Sequence, residues 1–291
     1  MGPNQHAALV RWSWRSLLRR GTLYIALLVV GSTMLVPYVW MVSTSLKEPQ
    51  SVFRVPIQWL PHPLVWRNYA EIWRIPYVPF LRFFLNSVFV AACVTAGHVL
   101  TSAWAAYAFA RLRFPGRDKL FFAYLATLMI PGSVILVPVF ILMKWLNWLD
   151  TYKVLIIPAM FTAYGTFLLR QFFLTVPKDL EDAAKIDGAS SWYIFWRIIM
   201  PLSKPALATL ALFTFMGNWQ SFMWPLLVLD SVEKTTLPVG LAYLQEQYQF
   251  ASPNFPLLMA GSVVATAPMV LLFLFNQRFF TEGIRLTGVQ R

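Results

Sequence analysis

FFLNSVFVAACVTAGHVLTSAWAAYAFA, residues 83–110, is an uninterrupted run without a single formally charged side chain. A helix needs about 20 apolar residues to cross a hydrocarbon core of roughly 30 Å, so this run is long enough to span a membrane. Small residues recur in it at four-residue spacing, at Ala92 and Ala96, then at Ser102, Ala106 and Ala110. Such spacing lets helices approach closely, and the run therefore predicts a membrane helix packed tightly against its neighbours.

Five further stretches of this kind lie on either side, and only the fourth span holds a charge, Arg170 near its end. The chain as a whole is 58% hydrophobic, with a mean hydropathy of +0.58. Continuous apolarity predicts helices, because a barrel strand alternates polar and apolar residues. We therefore expect an all-α, polytopic membrane protein with six transmembrane helices, at 22–42, 83–110, 120–143, 154–173, 205–229 and 255–277.

The basic residues fix the predicted orientation. If the N-terminus is cytoplasmic, sixteen of the 24 Lys and Arg residues fall in inside segments, a bias that the positive-inside rule predicts. The net charge of +12 thus belongs to membrane topology and does not indicate nucleic-acid binding. The predicted segments are a cytoplasmic arm at 1–21, the first helix at 22–42, an extracytoplasmic loop at 43–82, a core of five helices at 83–280 and a cytoplasmic tail at 281–291.

The chain lacks the residue patterns of an enzyme or a self-powered pump. It contains no G-x-x-x-x-G-K-S/T and no H-E-x-x-H, and its spans hold no paired carboxylates. Its one cysteine, Cys93, can form neither an intrachain disulfide nor a cysteine metal site. His98 is better explained as a hydrogen-bonded packing residue than as a ligand. We expect no catalytic residue, no metal and no cofactor on this chain, with an ion-coupled secondary carrier as the alternative class.

An acidic segment interrupts this apolar sequence at 174–204, the longest inside loop. Four of the twelve acidic residues fall between Asp179 and Asp187, in the first turns of a helix that Pro177 can begin and Gly188 can end. Ser190 or Ser191 can cap a second helix over 192–200, which Pro201 interrupts. The first helix either docks on a cytoplasmic partner or merely links two spans, and the pattern alone leaves both open.

DAAKIDGASSWYIFWRIIMP, residues 182–201, resembles the EAA loop of ABC importer permeases. Asp182, Ala183 and Ala184 match the E-A-A triplet, and Gly188 matches its glycine; aspartate stands where glutamate is usual, which shortens the acid by one methylene. AAYAFARLRFPG (105–116), MIPGSVILVP (129–138), GNWQSFMWPLL (217–227) and QRFFTEGIRLTG (277–288) extend the likeness over roughly 83–291. Taken together and in this order along the chain, these motifs resemble the carbohydrate-importer branch of the ABC importer permeases, to which the maltose permease protein G belongs.

This resemblance implies the type I ABC importer permease architecture, also called MetI-like. It further implies a second permease subunit, a cytoplasmic ATPase dimer that binds ATP and Mg²⁺, and an extracytoplasmic solute-binding protein. The solute would be a sugar or oligosaccharide, with glycerol-3-phosphate or another polar solute as the alternative. The coupling helix that docks on the ATPase would present Glu181, Asp182, Ala183, Ala184, Asp187 and Gly188.

The expected solute pathway is less sharply indicated. Asn218, Trp219 and Gln220 place an aromatic face and two amides in the fifth span, which suits a polyhydroxylated ligand. Hydrogen bonding between helices is the competing interpretation. Prolines at 131, 138, 158, 225 and 268 fall inside predicted spans, where they either mark a pathway or are tolerated in packed helices.

Overall fold

The computed structural model describes residues 14–76, 78–250 and 254–288, and in this part of the chain all regular structure is helical. Residues 1–13, 77, 251–253 and 289–291 lie outside the described residues. The α-helices are α1 (Trp14–Ser45), α2 (Arg67–Glu71), α3 (Phe80–Arg111), α4 (Arg117–Ala126), α5 (Gly132–Trp145), α6 (Tyr152–Ile156), α7 (Ala163–Thr175), α8 (Asp179–Ile186), α9 (Ser191–Ile194), α10 (Met200–Leu202), α11 (Lys204–Trp219), α12 (Met223–Val228), α13 (Leu237–Phe250) and α14 (Phe255–Gly288).

Helix α3 is the centre of the bundle and packs against α7, α11 and α13. Its small residues allow this: Ala103 and Ala106 are fully buried. The approach to α7 is so close that a Cβ added at Gly165 would clash with the side chains of His98 and Ser102. His98 lies in the same interface, where its Nε2 is 3.0 Å from Thr162 Oγ1, so it is a hydrogen-bonded packing residue as the sequence predicts.

Four described helices are long and apolar enough to cross a membrane, and two bent helix pairs raise the number to six. The four spans that need no pairing are Arg20–Ser45, Phe80–Arg111, Tyr152–Thr175 and Phe255–Phe275. The predicted all-α, six-span class is therefore confirmed in outline.

Two of the predicted spans are wrong in detail, because each is broken. The span predicted at 120–143 bends by 99° between Met129 and Gly132. Pro131 is the reason, since it lacks an N–H and drives the preceding residue, Ile130, into extended backbone (φ −86°, ψ 115°).

The span predicted at 205–229 is also interrupted. Helix α11 ends at Trp219, and α12 begins separately at Met223. A helix that continued through Pro225 would lose a backbone hydrogen bond and meet a ring clash, whereas Pro225 is tolerated within the first turn of α12. The chain also bends by 77° between the helical segment that ends at Leu202 and the one that begins at Lys204.

The two connections at the N-terminal end of α3 contain helices of their own. The loop at 43–82 contains α2, where Asn68 Nδ2 donates to Ser45 O (2.8 Å) and Lys47 O (3.0 Å). The segment between the last two predicted spans, 230–254, contains α13, whose Leu237 and Leu244 are buried.

At this same end of α3, a polar latch joins the loop between α5 and α6 to the loop between α12 and α13. The Asp150 carboxylate accepts hydrogen bonds from the Ser231 N–H (2.9 Å), the Ser231 hydroxyl (2.5 Å) and Lys234 Nζ (2.7 Å). Burial would raise the pKa of Asp150, but these donors outweigh it and hold the pKa well below its ordinary range. Asn86 of α3 donates to Glu233 O (2.8 Å) and Thr235 O (2.9 Å), so the latch is fixed to the central helix.

Candidate functional site

The acidic segment folds as a compact helix–turn–helix at the C-terminal end of α3. Helix α8 has Asp179, Glu181 and Asp182 in its first turn, where carboxylates oppose the positive end of the helix dipole. It ends in a Schellman turn: Ala189 N–H donates to Ala184 O (2.9 Å), and Gly188 N–H donates to Lys185 O (3.0 Å).

Gly188 makes this turn possible. Its φ of +82° lies in the left-handed region, which is costly for residues with a Cβ. In the part of the chain that the structure describes, no atom outside the neighbouring residues lies within 4 Å of the position that a Cβ would take, so that side of Gly188 is open. The backbone thus turns sharply and leaves the surface at Gly188 bare.

The second helix of the unit begins where the sequence predicts. The Ser190 side chain accepts a hydrogen bond from Tyr193 N–H (3.2 Å), so Ser190, and not Ser191, is the N-cap. Helix α9 then passes through a π-helical segment at Phe195–Ile199 into α10. This wider turn lies directly ahead of Pro201, whose missing N–H and ring would disrupt a regular α-helix.

Most of the predicted coupling-helix residues share one exposed face. Asp182, Ala183, Asp187 and Gly188 are exposed, while Ala184 is half-buried against the core of the bundle. Sequence reasoning missed Ile186, a residue that is 86% exposed. An exposed isoleucine two residues before a bare glycine gives the turn an apolar tip, and this spacing could have drawn attention to it.

Glu181 is the exception and corrects the predicted set. Its side chain is only 5% exposed and points into the chain, where its Oε1 is 2.8 Å from Nε of Arg111, itself 3% exposed. A buried carboxylate that is paired within its own subunit is not on the surface that could meet a partner. The candidate coupling surface is therefore the exposed set Asp182, Ala183, Ile186, Asp187 and Gly188.

A second candidate site is a cavity of about 380 Å³ between α3, α5, α6, α12 and the breaks beside α11. Its lining carries hydroxyl, amide and indole groups on an apolar wall, and none of its lining residues is charged. The lining residues are Ser87, Val90, Ile135, Val139, Leu155, Pro158, Ala159, Asn218, Ser221, Trp224, Pro225 and Thr236.

Two polar groups of this lining have hydrogen-bonding capacity that the described residues do not use. Thr236 is buried, yet its hydroxyl has no hydrogen-bond partner among the described residues. The Asn218 amide nitrogen donates to Thr214 O (2.8 Å), which leaves the amide oxygen to accept from a solute. A buried polar atom without a partner is costly, so a hydroxyl-bearing ligand or water suits this site.

The three predicted pathway residues do not lie together. Asn218 lines the cavity, whereas Trp219 and Gln220 are not among its lining residues. Trp219 is buried on the other side, where its ring stacks on Phe215 and its Nε1 donates to Ala265 O of α14 (3.0 Å). That bond between helices is the competing interpretation that the sequence left open. Trp224 is the aromatic residue of the cavity.

Neither site carries the chemistry of a metal centre. No group of three or more His, Cys, Asp or Glu side chains that could hold a metal is found among the described residues. What the geometry offers is an exposed tip at one end of α3 and an uncharged cavity near the other, with α3 joining them.

The family model described as binding-protein-dependent transport system inner membrane component matches residues 98–286. The arabinooligosaccharides transport system permease protein AraQ of Halalkalibacterium halodurans is 40% identical over 207 residues, 71% of this chain and 73% of that protein. The sn-glycerol-3-phosphate transport system permease protein UgpE of Yersinia enterocolitica is 36% identical over 251 residues, 85% of this chain and 89% of that protein.

Solved structures share the fold. A chain of a bacterial ABC transporter involved in the import of the acidic polysaccharide alginate superposes with a TM-score of 0.83 over 92% of this chain and 99% of that one, at 22% identity. A chain of the alginate transporter in complex with its pentasaccharide-bound periplasmic protein gives 0.64 over 90% and 95%, at 14% identity. These likenesses confirm the predicted permease architecture.

Proposed function

Because the chain belongs to the family of binding-protein-dependent transport system inner membrane components, we propose that it forms half of the membrane pathway of an ATP-driven ABC importer for a sugar or oligosaccharide. A second, different permease subunit supplies the other half. Two copies of a cytoplasmic ATPase bind ATP and Mg²⁺, and an extracytoplasmic binding protein delivers the solute. In this proposal the chain itself binds no cofactor and catalyses no reaction.

The proposed location is the cytoplasmic membrane of a bacterium or archaeon, with both termini inside. The support is the distribution of basic residues, which favours inside segments sixteen to eight. In this orientation the arm at 1–21, the loop at 174–204 and the tail at 281–291 are cytoplasmic. The loop at 43–82 and the Asp150 latch then lie outside.

The observation that carries the proposal is the exposed tip formed by Asp182, Ala183, Ile186, Asp187 and Gly188. Nothing else in the described chain covers it, and an isoleucine that is 86% exposed gains from burial in a partner. A short helix with an apolar tip suits a groove on another protein. Exposed charges at such a surface contribute only about 0–1 kcal/mol each, so shape at Ile186 and Gly188 matters more than any single carboxylate.

The proposed mechanism uses the tip as a mechanical joint. Closure of the ATPase dimer on ATP moves the groove that holds α8, and the permease switches between inward and outward access. Solute and ATP never meet, so the coupling between them is carried by two alternative arrangements of the helices. The broken spans are the natural places for such rearrangement, because their backbone is already interrupted.

The uncharged cavity favours a sugar as the solute. Hydroxyl and amide groups beside the indole of Trp224 suit a polyhydroxylated ligand. Glycerol-3-phosphate is the second candidate, since a relative at 36% identity is named for that solute. A phosphate group prefers Arg or Lys donors, and none lines this cavity. A neutral sugar is thus the better match for this half of the pathway.

Affinity purification in mild detergent tests the docking assignment. The native chain is expected to recover a P-loop ATPase and a second permease, and Ile186→Glu is expected to lose the ATPase alone. Val232→Glu is the matched control, because Val232 is also exposed but lies with the latch at the far end of α3. Retention of the ATPase by Ile186→Glu would refute the docking surface.

Uptake into vesicles tests the transport assignment. The purified complex, reconstituted with its binding protein, is expected to take up labelled oligosaccharide only with internal ATP and regardless of ionophores. Faster uptake of glycerol-3-phosphate would transfer the assignment to the second candidate. Uptake abolished by an ionophore and independent of ATP would identify an ion-coupled carrier.

A further inference from the structure

We propose that Arg111 and Glu181 are positioning residues that fasten the coupling helix to the end of α3, so that α8 and α3 move as one rigid unit. This inference rests on the proposed function, because it concerns how motion of the docked tip reaches the solute cavity. It assigns roles to two residues that touch neither the proposed ATPase nor the solute.

Arg111 is the last residue of α3 and makes polar contacts with the start of α8 and the end of α7. Its Nε lies 2.8 Å from Glu181 Oε1 on α8. Its Nη2 donates to Phe173 O (2.5 Å) and Val176 O (2.6 Å), two carbonyls at the C-terminal end of α7. One guanidinium therefore joins the ends of α3 and α7 to the start of α8, as its planar arrangement of donors allows.

A second contact secures the other side of the turn. The Tyr107 hydroxyl, one helical turn before Arg111, donates to Ser191 O (3.2 Å) at the start of α9. Tyr107 and Phe173 also belong to a buried apolar cluster that includes Ile194 and Phe195, and Ala184 of α8 packs against it. Both helices of the coupling loop are thus attached to the same end of α3.

Position, and not stability, is the better explanation of this buried ion pair. Taking two charges out of water costs so much that buried pairs often contribute no net stability. Here the Arg111 Nη1 has no hydrogen-bond partner among the described residues, and the Nε–Oε1 contact does not meet hydrogen-bond geometry. Apolar side chains would fill this space at lower cost, but they would not fix the direction of α8.

Helix α3 can transmit a displacement of α8 to the solute cavity. From Arg111 to Ser87, which lines the solute cavity, α3 is one continuous helix, so the two residues are about 36 Å apart along its axis at 1.5 Å per residue. No proline interrupts this stretch. A displacement of α8 that Arg111 transmits to α3 therefore reaches the cavity wall without passing through a hinge.

The direct test measures whether α8 is held. In a Cys93→Ala background, spin labels at Asp179→Cys in α8 and Arg113→Cys beyond α3 report the distance between the two elements. We expect a single narrow distribution in the native complex and a broad one after Glu181→Gln. Asp118→Asn is the matched control, because it removes a carboxylate from an exposed ion pair with Arg117 on the next helix and should leave the distribution narrow.

The functional readout is solute transported per ATP hydrolysed in the reconstituted complex. Glu181→Gln is expected to lower this ratio about fivefold or more while the ATPase remains bound, and Asp118→Asn to leave it unchanged. The double variant Arg111→Met/Glu181→Met leaves no charge unpaired, so it is expected to fold as well as the native chain and still transport poorly per ATP. If the ion pair only stabilises the fold, the double variant should recover both native folding and native transport per ATP.

The outcomes separate this inference from the function on which it rests. If the native complex moves no sugar, the proposed function fails, yet the spin-label distances still report on the attachment of α8. A narrow distribution and a native ratio in Glu181→Gln overturn the inference. If that variant fails to fold, the double variant decides: normal transport per ATP overturns the inference, and poor transport by a folded complex upholds it.

Discussion

Replacement of Gly188 by aspartate should uncouple transport while the chain stays folded. At φ +82° a residue with a Cβ costs about 1–2 kcal/mol relative to glycine. No further clash adds to this, because, apart from its chain neighbours, none of the described residues has an atom within 4 Å of the added Cβ. The isolated permease should therefore lose only about 1–2 kcal/mol of stability. The docked complex should lose far more, because the new carboxylate fills the space that the partner would occupy.

Gly116 provides a matched control. It also has a positive φ (+78°) with open space around its Cβ position, but it precedes α4 and is not part of the coupling surface. Gly116→Asp should suffer the same backbone strain and keep its ATPase. Gly188→Asn separates strain from bulk, since asparagine tolerates the left-handed region better while it still occupies the space.

Thermal unfolding of the purified permease, ATPase recovery and solute uptake per folded complex are the three measurements. The expected pattern is similar unfolding for the two aspartate variants, with ATPase recovery and uptake lost at position 188 only. Normal uptake by Gly188→Asp would show that the turn does not contact the ATPase, and an equal loss at Gly116 would assign the effect to strain alone.

Three further predictions follow from the buried and paired residues. Glu181→Gln should destabilise the permease by about 3–5 kcal/mol, because it leaves Arg111 buried and unpaired. The double variant Arg111→Met/Glu181→Met should unfold near the native midpoint in chemical denaturation. A loss of stability in the double variant as large as in the single one would contradict this. Trp219→Ala should cost about 3–5 kcal/mol of stability but leave uptake per folded molecule unchanged, because Trp219 packs away from the cavity. Trp224→Ala should instead reduce uptake. The reverse pattern would assign the solute contact to Trp219 and the packing role to Trp224. The stability that the Asp150 latch contributes should be fully present above the unfolded pKa of about 4 and be lost as the pH falls toward the depressed folded pKa. Asp150→Asn should cost about 2 kcal/mol of stability at pH 7 and abolish that part of the acid sensitivity of unfolding. An unchanged acid profile in this variant would contradict the latch.

The sequence predicts best where local chemistry decides the structure. Gly188 stops α8 and Ser190 caps α9 because both effects depend on a few neighbouring atoms. Helix α13 was missed although its signal was present: Leu237, Leu241 and Leu244 follow helical spacing, and Pro238 suits a first turn. Charged residues around it made 230–254 look like a loop.

The sequence predicts poorly which way a side chain points across a packed interface. Glu181 and Asp182 are adjacent carboxylates in one helix, yet only Glu181 meets Arg111, which is 70 positions earlier in the chain. Trp219 was the predicted aromatic residue of the pathway, yet Trp224, which follows the break between α11 and α12, is the tryptophan that lines the cavity. Both distinctions depend on contacts between distant segments, which no local pattern encodes.

The prolines inside the predicted spans do not all have the same role: some favour the pathway interpretation and others the interpretation of tolerated packing. Pro158 and Pro225 line the cavity, each beside interrupted helix. Pro138 and Pro268 lie inside continuous helices and interrupt nothing. Irregular backbone at membrane depth persists only where protein or a water-filled space satisfies its polar groups. We therefore assign the first pair to the proposed pathway and the second to tolerated packing. Exchange of Pro158 or Pro225 for alanine should therefore alter transport, whereas the same exchange at Pro138 should not.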